Sequence, residues 1–417
     1  MNIWIIDHYS SEPRFGGYSR QYFFALGLAG KGYDVLVVSS AFSHFSHRYI
    51  ADKRINYSNI AQNANYAYLK TTPYTKNNDA KRIINMVSFV RAVKKNYKVL
   101  IDRFGKPDLV VGCSMHPLTW IAAQYVSRKT NSRFIVEVRD LWPATQIYNH
   151  GMSPYHPVAL FFGKLEKWAY DHAEKIVYSM ARGDRYLSGI LGYPKEKLCW
   201  IDQPMDVSFF DNNAKRYNEL PHEITSFIGD AFFCVFTGYY VDYEGVMEML
   251  EAAKRLKGKY TDIKFVFVGS GRSEEQMRQY QRENDLDNVF IGGRIDRELI
   301  PALLYRADVC LVNLAVRGNT KSYQFDASKN KLTEYLFSNS VVIYGTYIQD
   351  QYVKTSGAGY TITPFSAEEF AEKIEEVYNM DSEKRKTIAE NGRKYVMNHN
   401  TLEVLLKKYT DMIEGKQ

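Results

Sequence analysis

Asp326 to Tyr344 reads DASKNKLTEYLFSNSVVIY. A helix-like apolar segment here leads directly into a β-branched strand. Leu332, Tyr335, Leu336 and Phe337 fall on one side of the helix, and the run from Val341 suits a buried strand, so the stretch predicts the helix and strand of an α/β unit. Ser328 is a candidate N-cap, with Asn330, Lys331 and Glu334 crowding the first turns. A helix N-terminus carries unpaired amides and partial positive charge, so with Lys329 and Lys331 beside it the site suits a phosphate-bearing ligand. Glu334, one turn further, would repel a phosphate but could accept two hydrogen bonds from a ribose diol. The same residues would equally make a solvated helix start with an ordinary Lys and Glu face.

Similar units extend in both directions. The first half contains the apolar runs NIWII, DVLVVSS, DLVVGCS, RFIVEV, KIVYSM and LCWID; the second contains FFCVFTG, KFVFVGSG, NVFIGG, VCLVNL, VVIYG and YTIT. Longer amphipathic segments separate them, the spacing of β-α-β units with buried parallel strands and crossover helices. At 417 residues the chain exceeds what one core usually supports, so two domains are expected. A polar stretch from Gln203 to Gly229 reads as the linker between them, and Ser366 to Lys416 reads as a helical end. The expected division is a first domain over 1–205, a linker over 206–229, a second domain over 230–395 and a C-terminal crossover helix over 396–417.

Four cysteines stand far apart with no CxxC spacing, which predicts buried thiols and no structural zinc. His44 and His47 lie three apart without an evident third ligand. The apolar run before Asp7 is too short for a signal peptide, and no stretch reaches the roughly 18 to 20 apolar residues that cross a bilayer, which points to the cytoplasm or a membrane surface. The net charge is +7. From Lys76 to Lys106 there are nine basic and two acidic residues, an excess equal to that of the whole chain. Ile83, Ile84, Met86, Val87, Phe89, Val90 and Val93 run through this segment, giving a basic amphipathic helix with Lys94, Lys95 and Lys98 able to rest on anionic lipid. A core-facing helix with a solvated basic face is the alternative. No nucleic-acid motif accompanies the charge.

In open α/β sheets ligands bind beyond the C-terminal ends of the strands, so the residues following each run belong together. In the first half these are Gly16 and Gly17, His116 in CSMHP, and Arg139-Asp140 followed by Trp142 and Pro143, which should halt any immediate helix. The second half offers Gly238, Gly269, Gly271, Arg272, Gly292 to Arg294 and the opening segment. The glycines let backbone amides approach a phosphate or a sugar, or simply form tight turns. Arg139 and Asp140 fit a substrate-hydroxyl contact as well as a solvated ion pair, and His116 fits either the cleft or a structural role. Asp326 and Glu334 make an acidic-x7-acidic pattern.

The ordered series FGGYSRQYFFALGLAGKGYDVLVVSS, FIVEVRDLWP, VFTGYYVDYEGVMEMLEAA, IKFVFVGSGRSEEQMRQY, DNVFIGGRIDRELIPALLYRADVCLVNL and SKNKLTEYLFSNSVVIYG resembles the retaining GT-B glycosyltransferases of family 4, of the bacterial O-antigen, capsule or exopolysaccharide assembly type. The resemblance spans nearly the whole chain. It implies two Rossmann-like, doubly wound parallel-sheet domains facing a cleft, with the C-terminal helix packing across their junction. It also implies that Glu334 holds the donor ribose, that Lys331 and amides near Asn330 hold the diphosphate, and that Gly292 to Ile295 line the base pocket. Gly16 and Gly17 would face the diphosphate from the other domain, and Asp140 would stand near the reacting sugar. Members commonly carry an Arg and a Lys after the first strand of the second half, where this chain has Gly238-Tyr239 and Tyr243-Glu244-Gly245, so the diphosphate's charge falls to Lys329, Lys331 or Arg272.

The activity expected from this resemblance is transfer of a hexose or N-acetylhexosamine from a UDP-linked sugar to a lipid-linked saccharide, without a cofactor or metal. Asp140, His116 and Asp326 are the candidate catalytic residues. Gly16, Gly17, Gly238, Gly269, Gly271, Arg272, Arg294, Asn330, Lys331 and Glu334 are expected at the donor, and Arg139 and Trp142 at the acceptor. The expected location is cytoplasmic, on the inner face of the membrane. A GT-B epimerase or hydrolase, and a non-catalytic subunit binding a glycan or nucleotide sugar, are the alternatives.

Overall fold

The computed structural model describes residues 1–16, 20–75, 80–325, 327, 329–348 and 351–416. Gly17 and Asp326, both expected site residues, lie outside the described residues, as does the candidate cap Ser328. The chain divides into two compact units. One comprises Met1–Pro204, Phe325–Ser328 and Leu402–Gln417, and the other Met205–Gln324 and Lys329–Thr401.

The first unit is built on eight strands: β1 (Asn2–Ile6), β2 (Asp34–Ser40), β3 (Ile55–Ala61), β4 (Ala64–Leu69), β5 (Leu109–Ser114), β6 (Arg133–Val138), β7 (Lys175–Tyr178) and β8 (Leu198–Trp200). Their order is β3-β4-β2-β1-β5-β6-β7-β8, parallel except where β3 pairs antiparallel with β4. The apolar runs become strands because both faces are covered. Trp4, Ile6, Val110 and Val136 point into one buried cluster with the helices Ala80–Phe104, Leu118–Thr130 and Pro157–His172. Ile3, Ile5, Val111 and Ile135 point into another with the helices Arg20–Gly30 and Leu402–Ile413.

The second unit holds β9 (Phe232–Tyr239), β10 (Ile263–Ser270), β11 (Val289–Gly292), β12 (Val309–Asn313), β13 (Val341–Gly345) and β14 (Gly359–Ile362). They form a wholly parallel sheet in the order β11-β10-β9-β12-β13-β14. Chain order reverses between β9 and β12 here, and between β2-β1 and β5 in the first unit. Those are the switch points where such sheets leave a crevice.

Several expectations differ from the structure. Strands β3 and β4 are additional to the strands read from sequence: INYSNIA is half polar and only partly buried at the sheet edge, whereas ANYAYL is largely buried between β3 and β2. The stretch read as a linker folds in the second unit as the helices Val207–Asn213 and His222–Ile228, the former capped by the Asp206 carboxylate on the Phe209 N–H. The helical end is three helices, Ala367–Tyr378, Ser382–His399 and Leu402–Ile413. The last belongs to the first unit, where Tyr409 packs on Phe24 at 5.3 Å between ring centroids. Among the described residues, no helix is long and apolar enough to cross a membrane.

Candidate functional site

Helix Asn330–Phe337 has Lys329 at its N-cap position, and among the described residues no side chain caps it. Its buried side carries Leu332, Tyr335, Leu336 and Phe337. The Thr237 N–H, at the end of β9, donates to the Tyr335 hydroxyl oxygen at 2.7 Å, which fixes the helix start against the strand-end loops. The first turn opens through Asn330 and Lys331 onto a cavity of about 340 Å³. Thr237, Gly238 and Tyr239 line it from β9, and Val268, Gly269 and Ser270 line it from β10. Arg294, Ile295, Arg297 and Ile300 come from beyond β11, and Asn330, Lys331 and Glu334 from the helix.

Charges are distributed in and behind this cavity in a definite pattern. Lys329 and Lys331 both reach Glu244, their ammonium groups 2.9 and 3.0 Å from its two oxygens. Burial alone would raise the Glu244 carboxyl, but Lys329 and Lys331 hold it below the usual range. Burial and the neighbouring Lys329 bring Lys331 down to about 8, against the opposing pull of Glu244. The Lys331 ammonium also lies 4.4 Å from the Phe236 ring centroid. Gly238 has φ +141°, and a Cβ there would stand 2.6 Å from Lys331 Nζ, so glycine both permits the turn and leaves room for the ammonium. At Gly269 a Cβ would fall 1.8 Å from the Gly238 carbonyl oxygen, so two backbones approach closely at the cavity floor. Glu334 pairs with Arg297, and burial, opposed by that guanidinium, raises its carboxyl above the normal range.

Six of the expected donor residues, Gly238, Gly269, Arg294, Asn330, Lys331 and Glu334, line this one cavity. Arg272 does not: it is exposed and paired with Asp242 at 2.9 Å. Gly271 is absent from the lining too, lying against the Tyr240 backbone. Of Gly292 to Ile295, the stretch expected at the base, Arg294 and Ile295 line the cavity, while the Gly292 carbonyl accepts from the Tyr240 hydroxyl at 2.8 Å. Arg297 and Glu244 were missed. Both lie a few residues beyond a strand end, and following each loop into the next helical turn would have reached them.

The first unit gathers its polar residues at its own switch point. His8, directly after β1, has Nδ1 2.7 Å from Nε2 of His116, which follows β5. Both rings are buried, and His8 stacks between Phe89 and Tyr9. Burial lowers both imidazoles, His116 to about 3, so both are neutral near pH 7. Asp7 is raised to about 6 by burial, with Arg139 opposing. Burial raises Asp140 as well, against Arg139 and Arg82. His116 is thus half of a histidine pair that the sequence did not disclose, although His8 lies just beyond the first strand.

Gly16 closes the turn Pro13–Phe15 at φ +70°, its carbonyl accepting from the Ser11 hydroxyl. Helix Arg20–Gly30 is tied to the sheet by Arg20, which donates to Glu137 on β6 at 2.9 Å and to the Ile201 carbonyl at 2.8 Å. Trp142 packs on Phe162 and precedes Pro143 through a cis peptide bond, and a short helix, Ala144–Tyr148, starts directly after Pro143 instead of being halted by it. A proline just before the first helical residue loses no helical hydrogen bond. Lys95 and Lys98 are exposed on helix Ala80–Phe104, while Lys94 is half-buried with its ammonium 5.0 Å from the Tyr125 ring centroid. Among the described residues, no group of three or more His, Cys, Asp or Glu is arranged to hold a metal ion.

Residues 221–395 match the family described as Glycosyl transferases group 1. No curated protein matches the sequence. Sucrose-phosphate synthase from Thermosynechococcus elongatus is similar in structure at 18% identity and TM-score 0.73, covering 100% of this chain and 98% of that one. Anabaena HepE, solved in complex with UDP, aligns at 14% identity and TM-score 0.68 over 100% of both chains. WaaG, a glycosyltransferase involved in lipopolysaccharide biosynthesis, aligns at 15% identity and TM-score 0.67, covering 99% of this chain and 100% of WaaG. With two doubly wound α/β units and a helical C-terminus, the chain has the GT-B fold, and the match to Glycosyl transferases group 1 falls almost entirely within its second unit.

Proposed function

We propose that this protein is a retaining glycosyltransferase that moves a hexose or N-acetylhexosamine from a UDP-linked sugar to a lipid-linked saccharide in bacterial surface polysaccharide synthesis. The cavity of the second unit carries the reading. It places a helix N-terminus, the Lys331 ammonium and a carboxylate one turn further on around one space, a set suited to a diphosphate beside a ribose diol. The group 1 match and the fold shared with UDP-bound HepE support the donor class; the fold shared with WaaG supports the surface-polysaccharide context.

In this reading the bond between the anomeric carbon and the diphosphate oxygen breaks, and the acceptor oxygen bonds to that carbon on the same face. The acceptor proton passes to the departing diphosphate. Negative charge grows on the leaving group, so the fixed cation and amide dipoles act most strongly in the transition state. We assign this stabilisation to protein groups, with no metal. Arg139, Asp140 and Trp142 are assigned to the acceptor and reacting sugar, with His116 a neutral hydrogen-bonding partner because burial keeps it unprotonated. With UDP-sugars and a panel of lipid-linked saccharides, we expect a glycan product of retained anomeric configuration by NMR. Donor consumption without product across the panel would instead identify an epimerase or hydrolase.

The lipid-linked acceptor is consistent with the surface of the first unit. Ile83 and Ile84 are exposed in the first turns of helix Ala80–Phe104, and Lys81, Arg91, Lys95 and Lys98 are exposed along the same helix. Tyr155, Val158, Leu160 and Phe161 are exposed at the start of helix Pro157–His172. Apolar turns with basic neighbours suit the interface of an anionic bilayer. The protein is expected to float with anionic vesicles and not with neutral ones. Lys95→Ala with Lys98→Ala should weaken that association by about 1 kcal/mol per charge; equal recovery with both vesicle types would remove the membrane from the proposal.

A further inference from the structure

Glu244 sits on the short turn Asp242–Glu244, ahead of helix Val246–Lys257. It is 5% exposed and does not line the cavity, whereas Lys331, which it holds, does. The carboxylate therefore lies behind the ammonium as seen from the cavity. Each of its oxygens takes one lysine, Lys329 at 2.9 Å and Lys331 at 3.0 Å. Two cations brought this close would repel one another, and each would lose free energy on leaving water; a shared buried carboxylate offsets both effects.

We propose that Glu244 is a positioning residue for the donor, keeping Lys331 protonated and aimed into the cavity so that a single oriented positive charge meets the diphosphate. This rests on the nucleotide-sugar reading of the same cavity. The charged groups facing Lys331 are Glu244 from the turn before its helix and Lys329 from the N-cap of its own. The Phe236 ring and the Cβ-free Gly238 complete its surroundings. On the same helix, Glu334 is occupied by Arg297, and Arg294 donates to Ser270 at 2.8 Å, so neither arginine is bonded to Glu244.

The sign of the pH dependence follows from these neighbours. Burial and Lys329 favour the neutral amine, Glu244 favours the ammonium, and the balance puts proton loss at about 8. Donor binding that needs the ammonium is intact below that pH and falls as pH rises through it. Without the Glu244 charge the fall moves to lower pH.

UDP-glucose is a suitable probe, because its diphosphate is a diester with no proton to lose between about pH 6 and pH 8.5. Calorimetric titration of the full chain should show affinity falling towards pH 8.5. In Glu244→Gln the fall should begin lower, with a loss of roughly fivefold or more at about pH 8 and recovery near pH 6. Glu244→Asp, which keeps the charge, should lose less. In a Lys331→Met background Glu244→Gln should add no further loss, since its effect passes through the lysine.

Equal profiles for the parent protein and Glu244→Gln, or a loss of the same size at every pH, would overturn the proposal while leaving the donor reading intact. Absence of UDP-glucose binding by the parent protein would overturn the donor reading and this inference with it. Should Glu244→Gln fail to fold, Lys331→Arg decides the matter. Arginine stays charged throughout, so its profile should be flat, and a profile that falls like the parent's would overturn the proposal.

Discussion

Glu334→Ala is expected to raise the KM for the nucleotide sugar by about a hundredfold, from the loss of two hydrogen bonds to a charged acceptor at roughly 1.5 kcal/mol each. The carboxylate lines the cavity one helical turn from Lys331, within the space assigned to the ribose. It is mostly buried, and burial raises its carboxyl despite Arg297. A carboxylate held in this way accepts hydrogen bonds without much competition from water. Its removal frees Arg297, whose side chain is 56% exposed and open to solvent, so stability should change little. The loss should therefore appear in donor affinity and not in the unfolding transition. Because the diol contact needs the ionised form, donor binding should also weaken as pH falls through the raised Glu334 value. Unchanged turnover at limiting donor in the alanine variant would sink the ribose assignment.

Lys331→Met should act differently, lowering kcat more than it raises KM. A fixed ammonium next to the departing diphosphate gains interaction energy as the leaving group's charge grows, so its effect concentrates in the transition state. A loss of about a hundredfold in kcat/KM corresponds to one charge-assisted contact of roughly 2 to 3 kcal/mol. Stability should fall as well, since Glu244 keeps only Lys329 as its partner. The double variant Lys331→Met with Glu244→Gln removes the unpaired charge together with the lysine, and should regain stability without regaining activity. A variant with unchanged kcat would place the diphosphate elsewhere in the cavity.

Much of this site was legible because strand-end logic is local. The glycines at the ends of β9 and β10, Arg294 beyond β11, and the turn carrying Asn330, Lys331 and Glu334 are each set by a short run of sequence at or next to an apolar strand. Parallel topology then delivers those runs to one sheet edge. The edge strand β3 escaped because the polar residues Asn56, Ser58 and Asn59 interrupt its apolar pattern, and the supposed linker folded because Asp206 caps a helix that its polar composition conceals.

The sequence by itself determined the α/β class, twelve of the fourteen strands among the described residues and the apolar side of helix Asn330–Phe337, because burial on a sheet or helix is written in the period of neighbouring residues. The tertiary structure alone decided which charges meet. Lys331 and Glu244 are 87 positions apart, and His8 and His116 are 108 apart. No local period records such pairs, because their energies depend on distance and burial after the chain has closed, and those are properties of the folded sheet edge.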